Sequence, residues 1–345
     1  MTKRQRIEAV YGMRKADRVP FVPAIYEHKG ALIQKSPSET CRNAEYLYDS
    51  VKAEFVTYDP DMVVVGIDVY NVEAEALGCK VVYLDESTDV PAIIEPLIDG
   101  PGGLSKVGVP DPETGGRMPL HLDVAGKLQR EWGNEVIVRG AVTGPYSMAG
   151  ALMGAEQFIF LTLENAPAAH TMLEFCARVT VEYGKAFLRR GVQPIIFDSR
   201  ATPMLASPRV IRELLAPIYR DCVFPQLKAA GGRFLPLIIG GNTTSVIDSL
   251  LATGATQFLS DSPANLKCWC EKAMAARVPV RANVDAALVA RGPASEIHRR
   301  ATEILRECRD YPGLLLGCGV VPYDVKPEHV MAIHAAIADM AAEDS

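Results

Sequence analysis

The feature that most constrains this chain is a recurrence of short apolar runs, each closed by a small or polar residue and each followed by apolar positions at helical spacing. The runs are Met62–Gly66, Val136–Ala141, Pro194–Phe197, Leu235–Ile239, Gln257–Leu259, Val278–Ala282 and Leu314–Gly317, with Val19–Pro23 as an eighth. A run that is apolar at nearly every position suits a strand buried on both faces, as in parallel sheets covered by crossover helices. The pattern therefore predicts an α/β fold, a (β/α)8 TIM barrel, as a single domain over residues 1–345.

The helices between the runs announce their starts. Ser207-Pro208, Ser262-Pro263 and Lys326-Pro327 each place proline where a first-turn N–H needs no partner, and Gly231-Gly232 supplies a helix stop. The opening segment MTKRQRIEAVYGMRK reads as an N-terminal helical extension. The stretch from about Asp85 to Lys127 shows neither period and is expected to be a long loop excursion serving the mouth of a site.

Charge and composition remove several classes of function. A net charge of −6 without a basic stripe argues against nucleic-acid or anionic-membrane partners, whose phosphates demand clustered Lys and Arg. No segment is apolar for long enough to span a bilayer, and the N-terminus lacks a signal-peptide core, so a cytoplasmic location is expected. Eight scattered cysteines then read as reduced thiols. Cys268 and Cys270 sit two apart on a helix and do not converge on a metal.

In an α/β barrel the residues just past each strand meet at one face, so these positions are the candidates for chemistry. They offer Asp68, Tyr70, Asn71 and Glu73 after the first long run, then Tyr146 and Ser147, then Asp198, Ser199 and Arg200. Asn242, Asp261, Asn283 and Cys318 follow, and His28 lies just past the earliest run. Asp261 and Ser262 serve equally well as helix caps, and Asp198 with Arg200 as an internal ion pair. His298, His329 and His334 fall on late helices and read as structural.

The strand ends, taken in order, resemble the uroporphyrinogen decarboxylase superfamily. RKADRVPFVP, EAEALGCKV, VTGPYSMA, FDSRA, IIGGNTT, ANVD and GCGVVPYDVKPEHV match its successive motifs over nearly the whole chain. In that resemblance Asp68 stands for the pyrrole-binding aspartate of the true decarboxylases. Their Arg-rich opening motif is missing from AIYEHKGA, Ala151 or Leu152 replaces their tyrosine, and Cys318 replaces their histidine. A porphyrinogen is thus poorly served. The corrinoid-linked, coenzyme M-type methyltransferases are the nearer branch. They hold zinc with His-x-Cys and a further Cys; this chain keeps the last as Cys318 but has Ile238-Ile239-Gly240 in place of His-x-Cys.

The resemblance implies a methyltransferase that moves a methyl group between a small methylated substrate and a corrinoid (cobalamin) on a partner protein. The alternatives are a cofactor-free decarboxylase or lyase acting on a smaller carboxylate, or a ligand-binding barrel without chemistry. The expected catalytic residues are Asp68, Asp198 and Cys318. The expected substrate-binding residues are His28, Tyr70, Asn71, Tyr146, Arg200, Asn242 and Asn283. Cys318 is the sole candidate metal ligand, so zinc of the familiar kind is not expected.

Overall fold

The computed structural model describes residues 1–343. Its backbone closes into a ring of parallel staves. The strand Met62–Val65 pairs with Ile137–Thr143, that strand with Gln193–Phe197, and that in turn with Leu237–Ile238. A parallel bridge from Pro236 to Gln257 carries the ring to Phe258–Ser260, which pairs with Val280–Val284 and then Leu314–Cys318. Residues 21–24 supply the remaining stave: Phe21 and Ala24 bridge to Leu316 and Val320, and the Asp61 N–H donates to the Phe21 carbonyl at 2.9 Å. The approach there is so close that a Cβ on Gly317 would lie 2.0 Å from the Val22 carbonyl oxygen, which explains the glycine.

The expected barrel is thereby found, with strand boundaries shifted by one to two residues. The runs are apolar because both faces are buried. Outward side chains such as Val63, Val65, Val138 and Ile196 pack beneath the helices. Inward ones form layers, with Val22, Met62, Ile137, Phe234 and Leu315 toward the N-terminal ends of the strands and Ala24, Ala141, Phe197, Ile238 and Leu259 toward the C-terminal ends. Helix Lys3–Tyr11 contributes Ile7 and Val10 to the lower layer and brings Tyr11 against it, stopping the barrel's lower end.

Three local expectations need correction. The excursion is helical from Met118: helix Met118–Trp132 starts with Pro119 in its first turn, a signal masked by the neighbouring glycines. Of the rest, residues 90–93 line the mouth, Ala92–Ile93 pairing antiparallel with Val81–Val82, whereas residues 101–109 lie against helix Ala166–Arg189. The helix after Ser262 begins only at Leu266, capped by the Asn265 side chain, which accepts from the Cys268 N–H at 3.0 Å. Finally, the helix opened by Ser207 loosens into wide turns over Ile211–Leu215 and Ile218–Val223, where Pro217 and Pro225 remove i→i−4 donors.

Candidate functional site

A cavity of about 510 Å³ opens at the C-terminal ends of the staves. Its apolar surface comes from Ala24, Phe197, Ile238 and Leu259 below and from Pro91, Ala92 and Ile93 above. Set into that surface are Glu27, Asp68, Tyr70, Arg200, Arg281 and Asn283. This is the composition of a small-molecule site: mostly apolar, with few polar groups of fixed direction.

Each polar group is held differently. Asp68 sits where the chain turns out of the strand Met62–Val65, and both its oxygens accept from Arg117, at 3.1 and 2.8 Å. Arg117 also reaches Glu75 at 2.5 Å, so Asp68 is a buried, oriented and neutralised carboxylate. Tyr70 donates to the Ser199 hydroxyl at 2.6 Å, tying two strand ends together. Asn71 donates to the Pro91 carbonyl at 2.5 Å and pins the overhanging hairpin. Arg200 uses one guanidinium nitrogen on the Ser147 carbonyl at 3.3 Å; burial draws its pKa below the usual arginine value.

Two groups, Glu27 and Arg281, escaped the reading of the sequence, and a third, Asp261, was offered there equally as a helix cap. Glu27, in the turn after residues 21–24, presents a carboxyl to the cavity, and burial pushes its pKa up. Arg281 lies inside the strand Val280–Val284, points into the barrel and is 4% exposed. Asp261 accepts from the Gly241 and Ser262 N–H groups at 2.9 and 3.0 Å and from Asn283 Nδ2 at 3.0 Å. A charge in the middle of an otherwise apolar strand, two residues before Asn283 on the same face, was the available signal for Arg281.

Of the ten residues expected to make the site, Asp68, Tyr70, Asn71, Arg200 and Asn283 line one cavity. The other five stand outside its walls, each for a visible reason. Asp198 is fully buried behind the wall and accepts from the Ser147 N–H at 2.6 Å, the Tyr146 N–H at 3.3 Å and the Tyr219 hydroxyl at 2.7 Å. It therefore anchors the free N-terminus of helix Pro145–Met153. Tyr146 lies in that helix and packs edge-on against Phe158. Asn242 folds back onto the Thr244 N–H at 3.2 Å on the exposed surface.

His28 and Cys318 occupy a second buried layer. His28 bonds the Tyr323 carbonyl through Nδ1 at 2.9 Å and the Tyr58 hydroxyl through Nε2 at 2.5 Å, and burial lowers its pKa. Cys318 is 0% exposed, and burial pushes its thiol up to about 11. A zinc ligand must be a thiolate with partners around it. Here the thiol is held neutral in apolar packing, and Ile238 and Ile239 are core residues. Among the described residues no group of three or more His, Cys, Asp or Glu side chains is placed to hold a metal ion. The residues present do not fit the familiar zinc set.

The geometry can be set beside known proteins. A family model described as uroporphyrinogen decarboxylase (URO-D) matches residues 2–340. A methylated-thiol–coenzyme M methyltransferase of Methanosarcina mazei is 24% identical over 258 residues, which are 72% of this chain and 65% of that protein. A methylcobamide:CoM methyltransferase of Methanosarcina acetivorans is 25% identical over 277 residues, 77% of this chain and 79% of the relative. Among solved structures, a methyltransferase from Methanosarcina mazei superposes with a TM-score of 0.85 at 21% identity, covering 99% of each chain. That superposition bears out the barrel over the full length.

Proposed function

This chain belongs to the uroporphyrinogen decarboxylase family, and on that premise we propose that it moves a methyl group between a small methylated compound and the corrinoid of a partner protein. The observation that carries the reading is the cavity. At about 510 Å³, with an apolar floor, it suits a small molecule rather than a tetrapyrrole bearing carboxylates on every ring. The two relatives quoted above are named for methyl transfer to or from coenzyme M, and this gives the direction in which to look.

The corrinoid of the partner would accept or supply the methyl group; the rest of the chemistry falls to this chain. When a methyl group leaves a heteroatom, the heteroatom keeps the electron pair of the broken C–X bond and needs a proton. Glu27 can provide it, because burial keeps its carboxyl protonated to higher pH than an exposed glutamate, and it faces the cavity. In the reverse direction the same carboxylate removes the proton from the incoming thiol or hydroxyl. Asp68, fixed by Arg117, and Tyr70, fixed by Ser199, are polar groups of set direction against which the substrate is positioned. Arg200 and Asn283 offer it further polar contacts in the cavity wall, and Asn71 holds the hairpin over it.

The test is the absorbance of methylcobalamin in the presence of the protein and coenzyme M. Protein-dependent loss of the methylcobalt spectrum, with methylated thiol formed in equal amount, is the expected result. An unchanged spectrum together with release of carbon dioxide from small organic acids would replace this reading with a decarboxylase.

A further inference from the structure

The charged groups lining the cavity are unequally partnered. Asp68 is paired with Arg117, which Glu75 shares, Asp261 accepts from two backbone N–H groups and Asn283, and burial raises the pKa of the Glu27 carboxyl. The two guanidinium groups, Arg200 and Arg281, have no carboxylate partner among the described residues. Arg281 is the more demanding of the two. Among the described residues it meets the Tyr26 hydroxyl and lies near the buried Cys318 thiol, its Nε has no hydrogen-bond partner, and it is 4% exposed. A buried guanidinium left in that state is costly unless a ligand supplies the acceptor.

A second unmet group lies beside it. Asn283 Oδ1 is buried without a donor. The amide cannot be turned round to remove the problem, because its Nδ2 already donates to the Asp261 carboxylate, an acceptor only. Arg281 and Asn283 are two apart on one strand, so they face the same way, with Arg281 deeper in the barrel by about 7 Å. The cavity thus has at its base a positive donor and above it a neutral acceptor, both waiting for a partner.

We propose that Arg281 is the seat of an anionic group, so that the substrate of the proposed methyl transfer is a small organic carboxylate or sulfonate that enters acid-first. A planar guanidinium holds either acid through paired N–H donors. Seated there, the acid directs the opposite end of the molecule, which carries the methyl group or receives it, outward to the mouth past Glu27, where a partner protein can present its corrinoid. Asn283 accepts from any hydroxyl, amine or thiol the substrate bears along its length. The inference rests on the methyl-transfer reading only for what happens at the outer end; the seat itself is a matter of binding.

The experiment is calorimetric titration of the intact protein with butanoate, propane-1-sulfonate and uncharged butanamide. The anions are expected to bind at least tenfold more tightly than the amide, and Arg281→Met is expected to erase that preference. Arg281→Gln, which keeps a polar side chain at the seat without its charge, keeps the test open should Arg281→Met fail to fold: the preference for the anions over butanamide is again expected to be lost. A preference for either acid supports the seat and identifies the acid group. Equal binding of amide and anions, no anion binding at millimolar concentration, or anion preference retained in a folded Arg281→Met protein would overturn it. Binding is read without cobalt, so a failed seat leaves the methyl-transfer reading standing. An inert methylcobalamin assay with the anion preference intact would sink only that reading.

Discussion

Two arginines point into this barrel from the middle of its strands, and they are treated in opposite ways. At the N-terminal end of the strands, Arg139 is fully buried, with one nitrogen on the Phe234 carbonyl at 2.6 Å and another on the Tyr11 hydroxyl at 3.0 Å. The Tyr11 and Phe234 rings, packed edge to face on each other, both lie beside it, and Tyr11 hands its own proton to Gln257 at 2.5 Å. Arg281, likewise within its strand, opens instead on the cavity toward the C-terminal ends, with its Nε unpartnered. Nε of Arg139 is also without a partner, so the difference lies in the rest of the group and in what surrounds it. The lower arginine is enclosed by protein acceptors and rings, whereas the upper one opens on the cavity, where we propose that a ligand meets it. On that proposal one end of the barrel serves stability and the other binding, the division expected of this fold.

The comparison can be broken by removing partners in turn. The largest loss of stability is expected at the one mouth carboxylate whose partner is already present. Arg117→Met would leave Asp68 buried and uncompensated, at a cost of about 3–5 kcal/mol. Adding Asp68→Asn should return much of it, and denaturant unfolding of the single and double variants checks both. Next comes the closed end: Tyr11→Phe strips an acceptor from Arg139 and a donor from Gln257, for about 1–3 kcal/mol by the same measurement. If Tyr11→Phe costs nothing, the lower arginine is no better satisfied than the upper.

How far the sequence carried this distinction depends on what kind of information was needed. The staves were legible because burial on both faces leaves an apolar run wherever the chain enters the sheet, and even residues 21–24, held by two bridges, showed as one. Strand ends located the mouth, and Asp68, Tyr70, Asn71, Arg200 and Asn283 followed from position alone. Direction was not legible. Asp198 ends its strand as Asp68 does, but a helix N-terminus lies beside it and its carboxylate turns to the free N–H groups there. Arg281 was hidden for the converse reason: in an apolar run a single charge reads as an interruption, and whether it meets a carbonyl, as Arg139 does, or a cavity depends on residues far away in the chain.

Two smaller effects sharpen the account of the mouth. Because burial raises the Glu27 pKa, its protonated form persists above the usual carboxylate range, and methyl transfer that needs its proton should slow as pH rises through that raised value. The same group lowers stability over the same rise, since the unfolded chain loses its proton first. Glu27→Gln should flatten that limb of the pH–rate profile and reduce the rate by about tenfold or more; an unaltered profile would remove Glu27 from the chemistry. Arg200, at the rim and already bonded to Ser147, is expected to matter least. Arg200→Lys should raise KM for an acidic substrate severalfold with thermal stability unchanged, and a large stability loss at normal KM would make it a structural group.

The most direct test of the division between the two ends is the rate of methyl transfer from methylcobalamin to coenzyme M in two variants, Tyr11→Phe and Arg281→Met, each assayed well below its own melting temperature. The account predicts that Tyr11→Phe, though less stable, turns over at the wild-type rate, while Arg281→Met keeps its fold and loses at least a hundredfold in kcat/KM, about 3 kcal/mol of transition-state binding. Equal losses in both, or full activity in folded Arg281→Met, would contradict it.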